Sequence, residues 1–206
     1  MLFRSEFANI VSHDLRTPLT VASGNLELAR QETDSDYHDD IADAMNRMEQ
    51  IIDDTLTMAR EGEAVVETEP VDIRDLAQDC WDSVAMDGAT LTADEKLTVE
   101  GDPTRLKHIF ENLFRNAVEH GGSSVTVGVT DDGFYVADDG PGLPDTGAEN
   151  LFESGYSTRA DGTGFGLAIV EEIVQAHGWE ISALESESGG ARFEVTGVER
   201  HEQTSV

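Results

Sequence analysis

The stretch SHDLRTPL at residues 12–19 places a histidine, an adjacent carboxylate and a proline inside a helical pattern of apolar residues. At about 100° per residue, His13 lies well off the apolar stripe, and Thr17 lies one turn further along on the same side. We therefore predict a helix over residues 2–31 that buries its apolar face, holds the imidazole outward and bends at Pro18. A lone surface histidine on a kinked helix would give the same local pattern, so the rest of the chain has to decide. The predicted apolar stripe comprises Phe3, Phe7, Ile10, Val11, Pro18, Val21, Ala22, Leu28 and Ala29.

A second amphipathic helix is predicted over residues 37–60, after a polar break at 33–36 that offers good N-cap residues. Its methionines share one face with aliphatic residues, and we interpret them as core rather than as ligands. Two helices joined by a short loop form a hairpin with one apolar side, which a symmetric homodimer would bury in a four-helix bundle. The apolar face comprises Ile41, Ala44, Met45, Met48, Ile51, Ile52, Thr55, Leu56 and Ala59.

An acidic, glycine-containing linker separates this hairpin from a segment in which strands and helices alternate. We predict an α+β fold with the hairpin at 1–62, the linker at 63–70, an α/β sandwich at 71–199 and a tail at 200–206. The sandwich is expected to have a mixed, mostly antiparallel sheet with helices on one face. Cys80 and Trp81, on its first helix, are interpreted as ordinary core residues. The predicted helices are 74–84, 103–120 and 167–177, and the predicted strands are 71–73, 89–92, 97–100, 125–129, 134–137, 180–184 and 192–195.

The charge of the chain is abnormal, with 13 Lys and Arg against 43 Asp and Glu and a formal net charge of −30. Such a surface repels nucleic acid and anionic lipid, so neither is expected as a partner. Because the acidic residues are spread among Phe, Leu, Ile and Val, an acidic disordered tail is not expected either. Adaptation to a very salty cytoplasm explains this composition best, since salt screens the self-repulsion.

The remaining composition favours a location in the cytoplasm. The single cysteine excludes an internal disulfide, and the six histidines do not form a cluster with the spacing of a metal cage. No run is long enough to cross a membrane, and no signal peptide is present. We expect a cytoplasmic segment of a longer protein, which can itself be attached to a membrane.

Three features in the second half of the chain carry candidate chemistry. Asn112 and Asn116, one turn apart on a predicted helix, offer neutral oxygens that can ligate Mg²⁺, unless they are ordinary surface residues. Asp138 ends a predicted strand before Gly140 and Gly142, which suits an exocyclic amine on a flat base, or a simple tight turn.

The third feature is the stretch GTGFGL at residues 162–167, which opens a predicted helix. Backbone amides at such a helix start suit phosphate oxygens. The Gly-Lys-Ser/Thr ending of a Walker loop is absent, which excludes that class of ATP site.

Together with the histidine segment, the order and spacing of these motifs resemble a sensor histidine kinase of two-component signalling over nearly the whole chain. Residues 13–18 resemble the H box of that family, 112–120 the N box, 138–142 the first glycine box, 151–153 the F box and 162–167 the second glycine box. The resemblance implies ATP and Mg²⁺ as cofactors and autophosphorylation at a histidine. It also implies transfer to an aspartate of a response regulator receiver domain that docks on the hairpin of a homodimer.

The resemblance further implies roles for the matched residues. His13 attacks the γ-phosphorus, Asp14 holds the proton of the other ring nitrogen, and Thr17 orients water for a reverse, phosphatase reaction. Asp138 binds the adenine amine, and Asn116 binds the metal. The other cofactor-binding residues that it implies are Asn112, His120, Gly140, Gly142, Gly162, Thr163, Gly164, Gly166 and Leu167.

Some positions depart from the family pattern or add to it. Glu119 stands where the family often has a lysine, and Ala191 where a threonine commonly helps to hold adenine, so we expect weaker nucleotide binding than in typical relatives. Arg159 is the only Lys or Arg between Arg115 and Arg192, in the stretch expected to fold over ATP. We predict that it meets a phosphate, the alternative being a plain loop arginine.

Two rival functions remain open at this point. An ATPase of the same fold, as in DNA gyrase or the heat-shock chaperones, would use a glutamate near the N-box asparagine and lacks a histidine-bearing hairpin, so the intact H box argues against it. A non-catalytic scaffold that binds ATP or a regulator is the alternative that the two departures from the family pattern keep open.

The charge predicts a salt-dependent stability. We expect the melting temperature to rise between about 0.1 M and about 2 M KCl, because the Debye length falls from about 10 Å to below 3 Å and self-repulsion is screened. A thermal melt followed by circular dichroism at several KCl concentrations measures this. A chain that is more stable in low salt would contradict the prediction.

Overall fold

The computed structural model describes the first helix, parts of the second and most of the sandwich. The described residues are 2–33, 35, 37–39, 41–42, 44–45, 48, 51–52, 65, 67–84, 88–144, 150–153, 155–156 and 164–200. In the first helix, the described side chains are those of residues 15 and 17–31.

The helix predicted around the histidine is confirmed. Helix α1 spans Leu2–Glu32 and runs through Pro18 as one element. In the second predicted helix, the described residues 37–39, 41–42, 44–45, 48 and 51–52 are helical, and the others lie outside the described part of the chain. No helix among the described residues is long and apolar enough to cross a lipid bilayer.

The described residues of the predicted α1 stripe are mostly exposed in the single chain, and because the prediction buries this stripe in a homodimer, its burial stays a prediction. Val21 is 59% exposed and Leu28 is 60% exposed, whereas Leu19, on the other side of the helix, is 9% exposed. Met45 of the second helical segment is 5% exposed, in agreement with its interpretation as core. In the single chain, no surface covers most of the Val21 and Leu28 side chains among the described residues. Burying this stripe requires a partner surface.

The sandwich follows the predicted order of elements. Its helices are α2 (Ile73–Val84), α3 (Pro103–Glu119) and α4 (Gly166–Ala176). Its strands are β1 (Glu69–Asp72), β2 (Thr90–Thr92), β3 (Thr98–Gly101), β4 (Ser124–Thr130), β5 (Gly133–Asp138), β6 (Glu180–Glu185) and β7 (Ala191–Thr196).

The sheet is mixed and mostly antiparallel, as predicted, but β1 and β3 are not part of it. Five strands lie in the order β2-β4-β5-β7-β6, with only the β2–β4 pair parallel, while β1 and β3 form a separate antiparallel pair. The strand predicted at 71–73 ends earlier, because Ile73 already begins α2. The physical reason is a cap: Asp72 Oδ1 accepts from the backbone N–H of Arg74 at 3.0 Å and of Asp75 at 3.3 Å.

The core is built around α3, whose apolar face packs between α2, α4 and the sheet. Its Phe114 ring meets Trp81 of α2 edge-on with centroids 5.2 Å apart, and its Phe110 ring lies 5.7 Å from Phe134 of β5. Both α3 rings are fully buried. Cys80 is buried beside them, and burial raises the pKa of its thiol to about 12, so Cys80 and Trp81 are core residues as interpreted.

The start of α3 is tied to the end of α4 through a histidine. Asp102 caps α3, because its Oδ1 accepts from the N–H of Thr104 at 2.9 Å and of Arg105 at 3.2 Å. The backbone N–H of Asp102 donates to His177 Nε2 at 3.1 Å, and His177 Nδ1 lies 2.8 Å from the carbonyl oxygen of Ile173. Nε2 therefore carries no proton, and Nδ1 is the donor. Burial lowers the pKa of this imidazole, which is held neutral.

This tie predicts a pH-dependent contribution to stability. His177→Leu should lower the free energy of unfolding by about 1–2 kcal/mol at pH 7.5, because the acceptor that Nε2 provides for the Asp102 N–H is lost. The pKa of His177 is lower in the folded state, so the unfolded chain binds its proton first as the pH falls. The advantage of the wild type should therefore shrink below about pH 6.5.

Urea unfolding of both chains at pH 7.5 and pH 5.5 measures the difference. An advantage that stays constant or grows at the lower pH would show that the ring is not held neutral.

Candidate functional site

The candidate site lies where β5 ends beside the last turn of α3 and the hairpin between β6 and β7. Asp138 is the last residue of β5 and is 8% exposed. Its Oδ1 accepts from the backbone N–H of Gly140 at 2.8 Å and of Ala191 at 3.1 Å. Among the described residues, none donates to Oδ2. The carboxylate is thus held by one oxygen, and the other remains as an acceptor.

The glycines around Asp138 are required by close packing. A Cβ atom at Gly190 would overlap the carbonyl and Oδ1 of Asp138, and one at Gly140 would lie 2.9 Å from Oδ1. Gly142 has φ +83°, and a Cβ there would lie 3.0 Å from the carbonyl oxygen of Gly189. These glycines therefore let Asp138 and the neighbouring backbone pack together with no side chain between them.

The last turn of α3 forms the neighbouring wall. Asn116 and His120 are half-buried there, and the backbone N–H of His120 donates to the carbonyl oxygen of Asn116 at 3.1 Å. A Cβ at Gly140 would lie 3.5 Å from the carbonyl oxygen of His120. The structure therefore brings Asp138, Gly140 and His120 together.

A second junction joins α3 to the start of α4. A Cβ at Gly166 would lie 3.1 Å from Asn112 Oδ1, so this asparagine faces the first turn of α4. Asn112 Nδ2 donates to the carbonyl oxygen of His108 at 2.8 Å, which orients the amide and turns its oxygen toward Gly166. Leu167 follows in α4 and is half-buried. The N box and the second glycine box are thus adjacent.

The F box supports the approach to α4. Leu151 is buried, and the Phe152 ring meets Phe193 of β7 edge-on at 6.4 Å. The backbone N–H of Gly155 donates to the carbonyl oxygen of Gly164 at 2.9 Å. Gly164 has φ +72°, and a Cβ there would overlap Gly155, so only glycine fits.

Several predicted site residues lie outside what the structure describes. Arg159, Gly162 and Thr163 are not among the described residues. His13 and Asp14 belong to α1, but their side chains are not described, so the outward orientation of the imidazole stays a prediction. Thr17 is exposed on α1, in agreement with its predicted side of the helix.

Sequence reasoning missed Asp139, whose carboxylate bonds the loop between α3 and β4. Its Oδ1 accepts from the backbone N–H of Ser123 at 2.6 Å and of Ser124 at 2.8 Å, and its Oδ2 accepts from Ser123 Oγ at 2.9 Å. These bonds to backbone amides and to the hydroxyl lower the pKa of the carboxyl group. The only sequence signal for this role of Asp139 is the pair of acidic residues at the end of β5. The pair does not reveal which of the two carboxylates faces the loop.

Ala191 contributes to the site through its backbone and not through its side chain. Its backbone N–H is one of the two donors to Asp138, and its methyl group is buried. The methyl group adds no polar contact to the site. A threonine hydroxyl is therefore missing at a position whose backbone still holds Asp138.

Two family models match the chain one after the other. The family described as His Kinase A (phospho-acceptor) domain matches residues 3–64, which include His13. The family described as histidine kinase-, DNA gyrase B-, and HSP90-like ATPase matches residues 101–199, which include Asp138 and Asn112. The motifs predicted from the sequence thus lie within two matched domains.

Individual relatives agree with these matches. The chain is 30% identical to the signal transduction histidine-protein kinase AfsQ2 of Streptomyces coelicolor, over 91% of this chain and 40% of that protein. It is 32% identical to the sensor histidine kinase CpxA of Escherichia coli K12, over 90% of this chain and 45% of that protein. The chain therefore spans less than half the length of these curated relatives.

A solved structure covers both domains. Full-length ShkA in complex with AMPPNP superposes with a TM-score of 0.67 at 27% identity, covering 96% of this chain and 47% of that one.

The bonds to Asp138 predict a difference between two substitutions. Asp138→Ala should lower the free energy of unfolding by about 1–3 kcal/mol, because the buried N–H of Ala191 loses its acceptor. Asp138→Asn keeps an oxygen in place of Oδ1 and should lower it by less than about 1 kcal/mol. Urea denaturation measures both, and equal destabilisation would show that the bonds to Oδ1 do not hold the loop.

Proposed function

We propose that the chain is part of a sensor histidine kinase of two-component signalling, and that it phosphorylates His13 with ATP and passes the phosphoryl group to an aspartate of a response regulator. The observation that carries the proposal is the pairing of a matched phospho-acceptor domain around His13 with a glycine-lined site around Asp138 in a matched ATPase domain.

Asp138 is proposed to bind the adenine amine. Both bonds from described residues end on Oδ1, so Oδ2 is the acceptor for an exocyclic N–H. The glycines at 140 and 190 support this role, because a Cβ atom at either position would crowd Oδ1 and displace the carboxylate.

The phosphates are proposed to lie between α3 and the start of α4. Asn112, with its oxygen beside Gly166, supports this position, since the first backbone amides of a helix favour phosphate oxygens. Gly164, Leu167 and His120 are proposed to complete the contacts, and Gly162, Thr163 and Arg159 remain predictions.

Asn116 is proposed to ligate Mg²⁺. Its half-buried amide in the last turns of α3 has the neutral oxygen that Mg²⁺ accepts beside phosphates and water. When bound, the ion neutralises charge on the phosphate oxygens. The departures at Glu119 and Ala191 support the proposal that nucleotide binds less tightly than in typical relatives.

The phosphoryl group is proposed to pass from ATP to the neutral imidazole of His13. A ring nitrogen of His13 forms a bond to the γ-phosphorus while the bond from that phosphorus to the bridging oxygen breaks, and ADP leaves with the electron pair. A free imidazole is largely neutral at pH 7, and Asp14 is proposed to hold the proton of the other nitrogen. Thr17 is proposed to orient water for dephosphorylation of the regulator.

The hairpin is proposed to form a homodimer and to dock the receiver domain of the regulator. The exposed Val21 and Leu28 support a partner surface, because single chains rarely leave such side chains on one helix face. We further propose the domain limits 1–62, 63–70, 71–199 and 200–206, a cytoplasmic location and a halophilic source, the last supported by the net charge of −30.

A labelling experiment tests the proposed reaction. Wild-type chain incubated with γ-labelled ATP and Mg²⁺ should acquire acid-labile, base-stable label, and His13→Gln should acquire none. His38→Gln is the matched control, since His38 is another histidine of the hairpin and should leave labelling unchanged. Asp138→Asn should remove labelling together with ATP binding.

The alternative of a non-catalytic scaffold is not favoured, and the same experiment separates it. A wild-type chain that binds ATP but acquires no label would support the scaffold. Label that persists in His13→Gln would show that another residue is the acceptor.

A further inference from the structure

Asp139 joins two segments that the proposed nucleotide site needs at a fixed separation. The backbone pairing between β4 and β5 ends with Val125 opposite Asp138. Beyond that pair, backbone pairing with β5 is replaced by the Asp139 side chain, which accepts hydrogen bonds from the backbone N–H groups of Ser123 and Ser124. The carboxylate therefore extends the strand pairing by one step at the edge of the site.

The segment that Asp139 holds is the direct continuation of α3. The N–H of Gly122 donates to the carbonyl oxygen of Ala117 at 2.9 Å, which closes the helix, and Ser123 follows at once. On its other side, the carbonyl oxygen of Ser123 accepts from the N–H of Thr90 in β2 at 3.0 Å. A shift of Ser123 would thus move the last turn of α3 relative to the end of β5.

The two segments approach each other so closely that little room is left for a side chain between them. A Cβ at Gly122 would lie 3.3 Å from Asp138 Cβ, and one at Gly140 would lie 3.4 Å from the nitrogen of Gly122. Neither Gly122 nor Gly140 has a side chain that could hold the two segments together. The three bonds to Asp139 supply the directional attachment that this contact lacks.

We propose that Asp139 is a positioning residue that sets the spacing between the base side of the nucleotide site, at Asp138, and the phosphate side, at the last turn of α3. The proposal rests on the proposed function. Its consequence is specific: adenosine needs only the base side, whereas ATP needs both sides at once and gains from their alignment.

The test compares ATP and adenosine binding in the whole chain. Asp139→Ala should raise the dissociation constant for ATP about tenfold and change that for adenosine less than about twofold, because the base side itself is intact. Asp139→Asn should stay within about threefold of the wild type for ATP, since its amide keeps an oxygen for the two backbone donors and can donate to Ser123 Oγ.

Further variants keep the test decisive. Ser123→Ala removes only the hydroxyl bond and should weaken ATP binding about two- to threefold, which is measurable even if Asp139→Ala fails to fold. Asp131→Ala, which removes one charge at the opposite turn of the same hairpin, is the matched control and should bind ATP as the wild type does.

Several outcomes would overturn the proposal. Equal loss of ATP and adenosine binding would indicate local damage to Asp138, and tighter ATP binding in Asp139→Ala would indicate charge repulsion of phosphate instead. A wild type that binds ATP but no adenosine at millimolar concentration would also contradict it. A wild type that binds no ATP would refute the proposed function itself, which is a distinguishable result.

Discussion

The structure depends on how both ends of α3 are held while its aromatic face is buried. At the start, Asp102 caps the helix and bonds His177 at the end of α4. At the other end, the loop that follows α3 is bonded by Asp139. Burial of Phe110 and Phe114 sets the rotation of the helix, so the half-buried edge with Asn112, Asn116 and His120 can only face the candidate site. A helix fixed in rotation and at both ends places functional groups on a rigid element.

Two adjacent carboxylates at the end of β5 serve different purposes because they face different donors. Asp138 is buried and bonds two backbone N–H groups through one oxygen, which leaves the other for a ligand. Asp139 uses both oxygens on the loop after α3. The chain has a net charge of −30, so a negative charge does not by itself distinguish Asp138 or Asp139 from the other acidic residues. What distinguishes these two residues is the set of backbone N–H groups that each one bonds. The proposed binding of an anionic nucleotide by so acidic a protein would therefore rely on local donors rather than on the overall field.

Most of the fold could be predicted from the sequence, because helix periodicity, capping residues and glycines act locally. The helix around His13, the Asp102-Pro103 start of α3 and the motif order are examples. The separation of β1 and β3 from the main sheet could not be predicted, since strand partners depend on distant segments. Nor could the exposure of Val21, because a periodic stripe shows which face is apolar but not what covers it. Asp139 was missed for a similar reason: its bonds join positions that only the folded chain brings together.

The central claim is that Asp138, the last turns of α3 and the start of α4 form one nucleotide site, and a crystal structure with a non-hydrolysable ATP analogue tests it most directly. The account predicts the adenine amine within hydrogen-bond distance of Asp138 Oδ2 and the phosphates beside Asn112 and the first amides of α4. An analogue bound elsewhere, or a base turned away from Asp138 with the phosphates remote from α4, would contradict it.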